Sequence, residues 1–510
     1  MEALALSASP QPRRLRVGVW ADSRLQPLWV VDALSRLAAA DFAEVLLVAA
    51  PERPAARENA LWAAYRALDR RLFGAGPSER VDIAERLPRG EPRRLDVALA
   101  LGALDDRALD GIARYGVWRF CFGPHGAEDE RAAGVHEAAA GEPLTASGLK
   151  VRLAPGEPPR LACHSCSRTE VLSVARNRDH LCKTGEFVLR ALRELHRSGP
   201  AWLQGCPQLA AAPPAPLPGA RDALRMAARL ARRAAEKALG VEQWSLAFAF
   251  NARVTPELAG FTRLVPPKDR DWADPFALEK DGRYYVFFEE VPFATRKGHI
   301  AMIEVDRAGR RSAPVTVLER DHHLSYPFLF EHEGALYMVP ESARNRTVEL
   351  WRCVDFPREW KLEKVLLEGV RLVDATLHRA HDRWWMFANC APGASRFYDD
   401  ELCLYWAERL TGEWQPHPRN PVKSDPRSSR PAGRLFVRDG ALYRPAQVCV
   451  PRYGAGLALQ RVLRLSPQEY AERQVERIVP APRSGLLGLH TMNRAGDLVV
   501  VDAFARRGRI

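Results

Sequence analysis

Hydrophobic and polar positions alternate through the second half of the chain in a pattern that returns five times. Phe276-x5-Gly282 followed by Tyr284-Tyr285 and Phe328-x5-Gly334 followed by Leu336-Tyr337 align without gaps. Thr376-x5-Asp382 with Trp384-Trp385 keeps the spacing behind a weaker first strand. Arg434-x5-Gly440 with Leu442-Tyr443 has its apolar residues displaced to Leu435 and Phe436, and His490-x5-Gly496 with Leu498-Val499 is the loosest copy. Each copy predicts a strand, a tight polar turn and a second aromatic or aliphatic strand, which is a β-hairpin. The turns recur at intervals of about fifty residues, close to the size of a propeller blade. The pattern therefore predicts an all-β five-bladed propeller over residues 241–510. Its ring needs a strand from ahead of the first copy, and Trp244–Phe250 and Phe261–Val265 are the candidates.

Residues 1–205 alternate differently. Apolar strands over Leu15–Trp20, Glu44–Ala49, Asp96–Leu101 and Val117–Phe122 are interleaved with helical patterns over Trp29–Ala40, Asn59–Phe73 and Asp105–Tyr115. That order predicts an α/β domain with a doubly wound parallel sheet, whose ligands sit at the carboxyl ends of the strands. Shorter strands at Leu149–Leu153 and Arg160–Cys163 and a helix at Thr184–Arg197 follow. No G-x-G-x-x-G or Walker loop follows any strand, so no nucleotide cofactor is expected. Residues 206–240 form a proline-rich linker and a basic helix.

Composition changes this picture only a little. No apolar run reaches the roughly 18 residues that span a bilayer. The N-terminus lacks the basic start and apolar run of a signal peptide, so a cytoplasmic location without a membrane span is expected. Nine scattered cysteines argue against a disulfide framework and suit a reducing compartment. The net charge of +12 invites a nucleic-acid reading, but the excess is dispersed and no nucleic-acid partner is expected. Only nine of the 75 basic residues are lysine, a bias that fits a GC-rich genome. The densest cluster, Arg221–Lys237, has an apolar side at Leu224, Met226 and Leu230, as a solvated amphipathic helix does; anionic-glycan binding is the alternative.

Candidate chemistry comes from stacking the repeats. Eight residues before the turn stand Asp274, Tyr326, Asp374, Ala432 and Gly488; seven after it stand Glu289, Glu341, Asn389, Gln447 and Ala503. In a propeller such positions converge on one mouth of the funnel. Four carboxylates with Asn389 and Gln447 beside them would therefore converge; the columns are acidic in blades one to three and bland in four and five, which points to an off-centre polar site. Blade-locking hydrogen bonds are one explanation. Paired carboxylates for glycoside cleavage are the other: one protonates the leaving oxygen, and its partner activates water or attacks the anomeric carbon. His323, Arg430 and Arg444 lie beside these columns and are candidates for substrate binding, as are Tyr326, Glu289, Asn389 and Gln447.

The opening Trp272-Ala273-Asp274-Pro275-Phe276 and the blade-three Val373-Asp374-Ala375 resemble the five-bladed glycosidases of the arabinanase and xylosidase type. That resemblance implies Asp274 as general base and Asp374 as modulator of the acid. The acid of those families opens blade four, where this chain has Arg430-Pro431-Ala432-Gly433, so Glu341 in Val339-Pro340-Glu341-Ser342 is the replacement. A denser set of motifs is similar to the propeller at the N-terminus of plant glucosamine inositolphosphorylceramide transferases. It comprises His323-Leu324-Ser325-Tyr326-Pro327-Phe328, Pro340-Glu341-Ser342, Val373-Asp374-Ala375-Thr376-Leu377, Arg430-Pro431-Ala432-Gly433 and Arg444-Pro445-Ala446-Gln447. That propeller also occurs in bacterial proteins behind a formyltransferase-like domain, and it implies a glycan or glycolipid headgroup as partner.

The first 200 residues resemble that formyltransferase-like domain at Tyr115-Gly116-Val117-Trp118-Arg119-Phe120 and Ser173-Val174-Ala175-Arg176-Asn177. Its Asn-x-His pair is replaced by Cys121-Phe122-Gly123-Pro124-His125-Gly126, so a degenerate domain that binds a sugar nucleotide or a protein partner is expected. Formyl or acyl transfer on an amino sugar is the less favoured alternative. Cys163-x2-Cys166 with His164, His180 and Cys182 hints at zinc, but its second knuckle is malformed and no metal is expected. The leading reading is a carbohydrate-active protein that cleaves or transfers a glycosyl unit with Asp274, Asp374 and Glu341; a non-catalytic glycan-binding module is the alternative.

Overall fold

The computed structural model describes residues 13–51, 59–74, 76–102, 104–123, 126–209, 217–391, 395 and 398–508. His125 and most of the proline-rich linker lie outside these. Apart from short stretches, one compact unit runs to Arg229 and a second begins at Leu230.

The first unit is built on a six-stranded mixed sheet in the spatial order Ala43–Ala49, Leu15–Ala21, Val97–Leu101, Val117–Phe122, Leu144–Arg152, Arg160–Arg168. The first four strands are parallel, and Leu144–Arg152 runs antiparallel to its neighbour. All five residues of Val97–Leu101 are buried, as expected of a parallel strand covered on both faces. Leu28–Ala38 and His180–Ser198 press Trp29, Leu34, Leu37, Val188 and Leu192 into that core. Asn59 caps Ala60–Phe73 by accepting from the Leu61 and Trp62 amides. The expected helix over Asp105–Tyr115 is instead a single 3-10 turn, Asp106–Leu109, because Gly111 takes a left-handed φ of 74° and ends the periodic segment.

The second unit is a five-bladed β-propeller. Blade one is the sheet Arg270–Lys280, Arg283–Pro292, His299–Val305, Val315–Leu318, and blade two is Ser325–His332, Ala335–Ser342, Thr347–Asp355, Glu359–Glu368. Blade three begins Leu372–Ala380, Arg383–Cys390, Glu401–Ala407; blade four is Phe436–Arg438, Ala441–Val448, Gly456–Leu465, Tyr470–Ile478. The first four inner hairpins turn on Asp281-Gly282, Glu333-Gly334, His381-Asp382 and Asp439-Gly440, with φ positive at both residues. That is the two-residue turn whose twist matches the flanking strands. In blade five Ala495 pairs with Leu498, so Gly496 is the first turn residue rather than the second and the copy slips by one position. The ring closes as the sequence suggests: Gly240–Phe250 pairs along all of Leu498–Gly508, and Thr262–Leu264 adds to its far side.

Between blades the packing is aromatic, with Phe276 4.8 Å from Tyr326 and 5.8 Å from Phe328, ring centre to ring centre. Two features depart from expectation. Cys390 and Cys403, on adjacent strands of blade three with Cα atoms 6.2 Å apart, form a disulfide, a single bridge in a chain whose scattered cysteines argue against a disulfide framework. Arg444 is not at the funnel mouth. Its side chain is fully buried, donating to Glu472 at 2.9 and 2.7 Å and to the Ser428 and Ser429 carbonyls at 2.6 and 3.1 Å. Lys423 joins Glu472 at 2.6 Å, tying blade three to blade four. The basic helix, Ala220–Leu239, also spends cations internally: Arg229 donates to the Ala138 and Ala139 carbonyls, and Arg233 pairs with Glu242. No helix among the described residues is long and apolar enough to cross a membrane.

Burial opposes ionisation of Glu472, but Arg444 and then Lys423 outweigh it and hold the carboxyl down to about 2. A depressed carboxylate pKa adds stability that is complete above the unfolded value and fades as pH falls towards the folded one. Glu472→Gln should cost ~3 kcal/mol at neutral pH, because Arg444 is left buried without its partner. In denaturant titrations the gap between wild type and variant should narrow steadily below about pH 4.5; a pH-independent gap would contradict this account.

Candidate active site

The inner strands of blades one, two and three break register at the same place, between Ala273 and Phe276, Ser325 and Phe328, and Val373 and Thr376. Each break is a bulge whose first column residue, Asp274, Tyr326 or Asp374, has φ of 52°, 43° or 55°. Asp visits this left-handed region at modest cost, but a bulky Tyr does so only when its surroundings force it. The bulge turns these side chains towards the propeller axis. Tyr326 is fully buried there, its hydroxyl 2.8 Å from the Thr376 hydroxyl and accepting from the Gly433 amide at 2.8 Å. A Cβ at Gly433 would stand 2.0 Å from the Met492 carbonyl, so this close approach of blades four and five admits only glycine.

Asp374, 1% exposed, is held by blade four. Arg430 donates to it through Nε at 2.6 Å and Nη2 at 3.4 Å, and Gln447 donates at 2.9 Å. Tyr453 covers the Arg430 guanidinium, whose carbon lies 4.8 Å from the ring centre. Glu341 sits half-buried on blade two, accepting from the Ser325 hydroxyl at 2.7 Å and the Ala343 amide at 3.2 Å. Burial and then the Asp374 charge push its carboxyl up. Glu289 on blade one faces His323 Nε2 at 3.0 Å, while His323 Nδ1 accepts from the Gly298 amide at 2.9 Å. Burial works against protonated His323, and Glu289 outweighs it to raise the imidazole. Asn389 donates to the Tyr398 carbonyl at 2.8 Å; its buried Oδ1 has no partner among the described residues.

Asp274 is the most densely surrounded carboxyl. Its Oδ1 accepts from the Thr491 hydroxyl at 2.5 Å and lies 3.5 Å from His490 Nε2. Its amide donates to Asp502 at 3.0 Å. Burial raises it most, His490 opposes that, and Asp374 and Glu289 add to it, so the net direction is upward. The columns missed His490, Thr491 and Asp502 and made blade five bland. Realigning the copy on Asp497, the second residue of its turn, brings Leu489 and Phe504 into the columns, so these three residues stand outside both. The visible signal was Asp502, one acid inside the otherwise apolar Leu498–Phe504.

Asp274, Asp374, Glu289 and Glu341 are thus gathered within electrostatic reach of one another, with Tyr326, Gln447, Arg430 and His323 beside them; Arg444 is elsewhere. Donor atoms of Asp274, His490 and Asp502 lie within 4.8 Å of one another. His490 Nδ1 and Asp502 Oδ2, 2.5 Å apart, are too close to be two ligands of one tetrahedral ion, which stand about 3.4 Å apart. The Asp502 oxygens also already take three backbone amides. Cys163 and Cys166 share one strand at an odd spacing, which points them to opposite faces and away from a common metal.

The first unit has its own cavity, of about 950 Å³, where the parallel strands end. Asp22 and Gly102 follow two of those strands into it, Trp29 and Phe120 supply apolar wall, and Asp69 and Arg178 line it. The Asp69 carboxyl is 1% exposed, accepts from the Ala175 amide at 2.8 Å and is raised chiefly by burial. No described lining residue is His, Lys or Cys.

Residues 268–493 match the family model described as glucosamine inositolphosphorylceramide transferase 1, N-terminal. Two curated proteins named glucosamine inositolphosphorylceramide transferase 1 are similar over 216 residues, or 42% of this chain. The Arabidopsis thaliana protein is 35% identical and the Oryza sativa subsp. japonica protein 33%. The matched segment spans 28% and 29% of their lengths. Among solved structures, the catalytic domain of a Coprinopsis cinerea α-L-arabinofuranosidase is 11% identical, at a TM-score of 0.37 over 51% of this chain and 97% of that one. An exo-1,5-α-L-arabinanase from a bovine ruminal metagenomic library is 12% identical, at a TM-score of 0.35 over 47% and 94%.

The Asp374–Arg430 pair should be essential to the mouth. Arg430→Met, which leaves a buried carboxylate unpaired, should cost about 3 kcal/mol by denaturant unfolding. Asp374→Asn added to it should recover most of that loss; an additive double variant would show that the two groups do not interact.

Proposed function

We propose that the propeller is a carbohydrate-active module that cleaves or transfers a glycosyl unit at its axial mouth, with Asp274 as general base, Glu341 as general acid and Asp374 setting the field between them. One observation carries this reading: two carboxyls pushed upward, Asp274 and Glu341, share a third, Asp374, that Arg430 and Gln447 hold in place. A base is most effective with its pKa near the working pH, and an acid must still hold its proton there. Glu289–His323, Tyr326 and Asn389, whose Oδ1 is unpaired, are the proposed sugar contacts. The similarity to proteins named glucosamine inositolphosphorylceramide transferase 1 supports a glycan or glycolipid headgroup as the partner.

A second reading, a glycan-binding module without turnover, is favoured by Arg430 itself. It stands where the glycosidase resemblance implies an acid, and it neutralises Asp374. For the first unit, the cavity at the strand ends supports a small-molecule site in an α/β domain of formyltransferase-like type. Its described lining offers no histidine for formyl or acyl transfer, which favours binding, or a protein partner, over that chemistry. A cytoplasmic setting belongs to the same proposal.

Asp274→Asn and Glu341→Gln decide between the first two readings. With aryl glycosides and a glycosylinositol phosphate headgroup as probes, each should lower turnover by about 10²-fold or more while calorimetric binding persists. Unchanged turnover in both variants removes the catalytic assignment. Binding by the wild-type chain with no product from any probe establishes the second reading.

A further inference from the structure

His490 is enclosed on every side. Trp244, from the strand that closes the ring, stacks on its imidazole with ring centres 4.1 Å apart, and Tyr453 meets it edge-on at 5.3 Å. Its Nδ1 contacts Asp502 Oδ2 at 2.5 Å, and its Nε2 faces Asp274 Oδ1 at 3.5 Å. Asp502 is itself immobilised. Its Oδ1 accepts from the His490 and Thr491 amides at 2.8 and 3.0 Å, and its Oδ2 from the Asp274 amide at 3.0 Å. Asp502, His490 and Asp274 therefore form a buried relay in which one imidazole bridges two carboxyls. No other cationic side chain contacts either carboxyl among the described residues.

We infer that His490 is a positioning residue: clamped by Asp502, it presents Nε2–H to Asp274 and favours the ionised form of that carboxyl. The balance is simple. At neutral pH the imidazole carries protons on both nitrogens, and its charge opposes the upward push that burial gives Asp274. When base removes the Nε2 proton, Asp274 loses its only facing cation, and its ionised form becomes costlier.

The other titratable groups around the pair are Asp271 and Glu289 of blade one, Asp374 of blade three and Tyr453. Asp271 is taken up by the Trp244 amide at 2.9 Å, Glu289 by His323, and Asp374 by Arg430, which also lies over Tyr453. Each has its own partner, so the coupling of Asp274 falls on His490. Burial disfavours the imidazolium, yet Asp502 and Asp274 outweigh it and the direction is upward.

The inference deepens the proposed role of Asp274 but can be tested without turnover. The full chain, carrying ¹⁵N-histidine and ¹³C-carboxyl aspartate, is titrated by NMR. Both His490 ring nitrogens should remain protonated at least about one pH unit beyond the ordinary histidine value of ~6.5. His490→Gln should move the Asp274 titration upward by about one unit or more, and Asp274→Asn should move that of His490 downward by the same amount, because coupling is reciprocal. Titration of His490 at the ordinary value, or a partner unmoved by either substitution, overturns the inference. Should His490→Gln fail to fold, the isosteric Asp274→Asn arm decides alone. Intact coupling with no turnover on any glycan would refute the base role while leaving the pairing in place.

Discussion

Five inner strands have to meet at one axis, and that requirement governs the rest of the propeller. Strands that converge end-on cannot continue a ladder into one another, so backbone groups near the axis would be buried without partners. Side chains supply those partners. Asp502 takes the Asp274 amide, Asn493 donates to the Pro275 carbonyl and accepts from the Arg434 amide, and Tyr326 accepts from Gly433. Gln447 links Asp374 to the Pro431 carbonyl. These bonds join blade one to five, five to four, four to two and three to four. Left-handed bulges at Asp274, Tyr326 and Asp374 aim the side chains at this work, and the strain of Tyr326 is held there by close packing and two hydrogen bonds.

The same closure concentrates charge. Asp274, Asp374 and Asp502 lie within one dry region, opposed by Arg430 and His490. Taking such groups out of water costs several kcal/mol each unless they pair and hydrogen-bond well. Here Asp374 has a guanidinium and an amide, and Asp502 has three backbone amides and an imidazole. Asp274 has only a hydroxyl and a distant imidazole nitrogen, and Glu341 a hydroxyl and one amide. The two least compensated carboxyls are the two to which the proposed chemistry assigns proton transfer.

Much of this was legible from residue pattern alone. Turn chemistry gave away the hairpins, since Asp-Gly and Glu-Gly pairs between apolar runs leave few alternatives. The lone apolar strand near Trp244 had no other use than closing the ring. The columns brought Asp274, Asp374, Glu289 and Glu341 together correctly, because blades of equal spacing put equal positions at equal depth. They failed in blade five. Gly496 sits first rather than second in its turn, and even with that slip corrected the blade-five columns hold only Leu489 and Phe504, while His490, Thr491 and Asp502 reach the axis from other positions. Arg444 looked like a mouth residue because its strand neighbour Gln447 is one. Three residues further along a strand reverses the face, so Arg444 points between sheets to Glu472. The missing helix after Asp105 reflects a glycine that composition alone did not mark as a stop.

Blade four explains why the mouth is off-centre. A cation at Arg430 in place of a carboxylate makes the Asp374 pair internally neutral, so the axis carries one compensated acid where two facing acids would repel. In the proposed chemistry a proton donor then has to come from a neighbouring blade whose second strand reaches the same depth. Glu341 meets that condition: its carboxyl still senses Asp374 but is not paired with a cation at contact distance. On the other side His490 gives Asp274 the cation that Arg430 gives Asp374. Each inner-strand acid thus leans on a base from the blade beside it, blade three on blade four and blade one on blade five. Blade two has Tyr326 in that position, which needs no countercharge, and this frees its second strand to present Glu341 to the mouth.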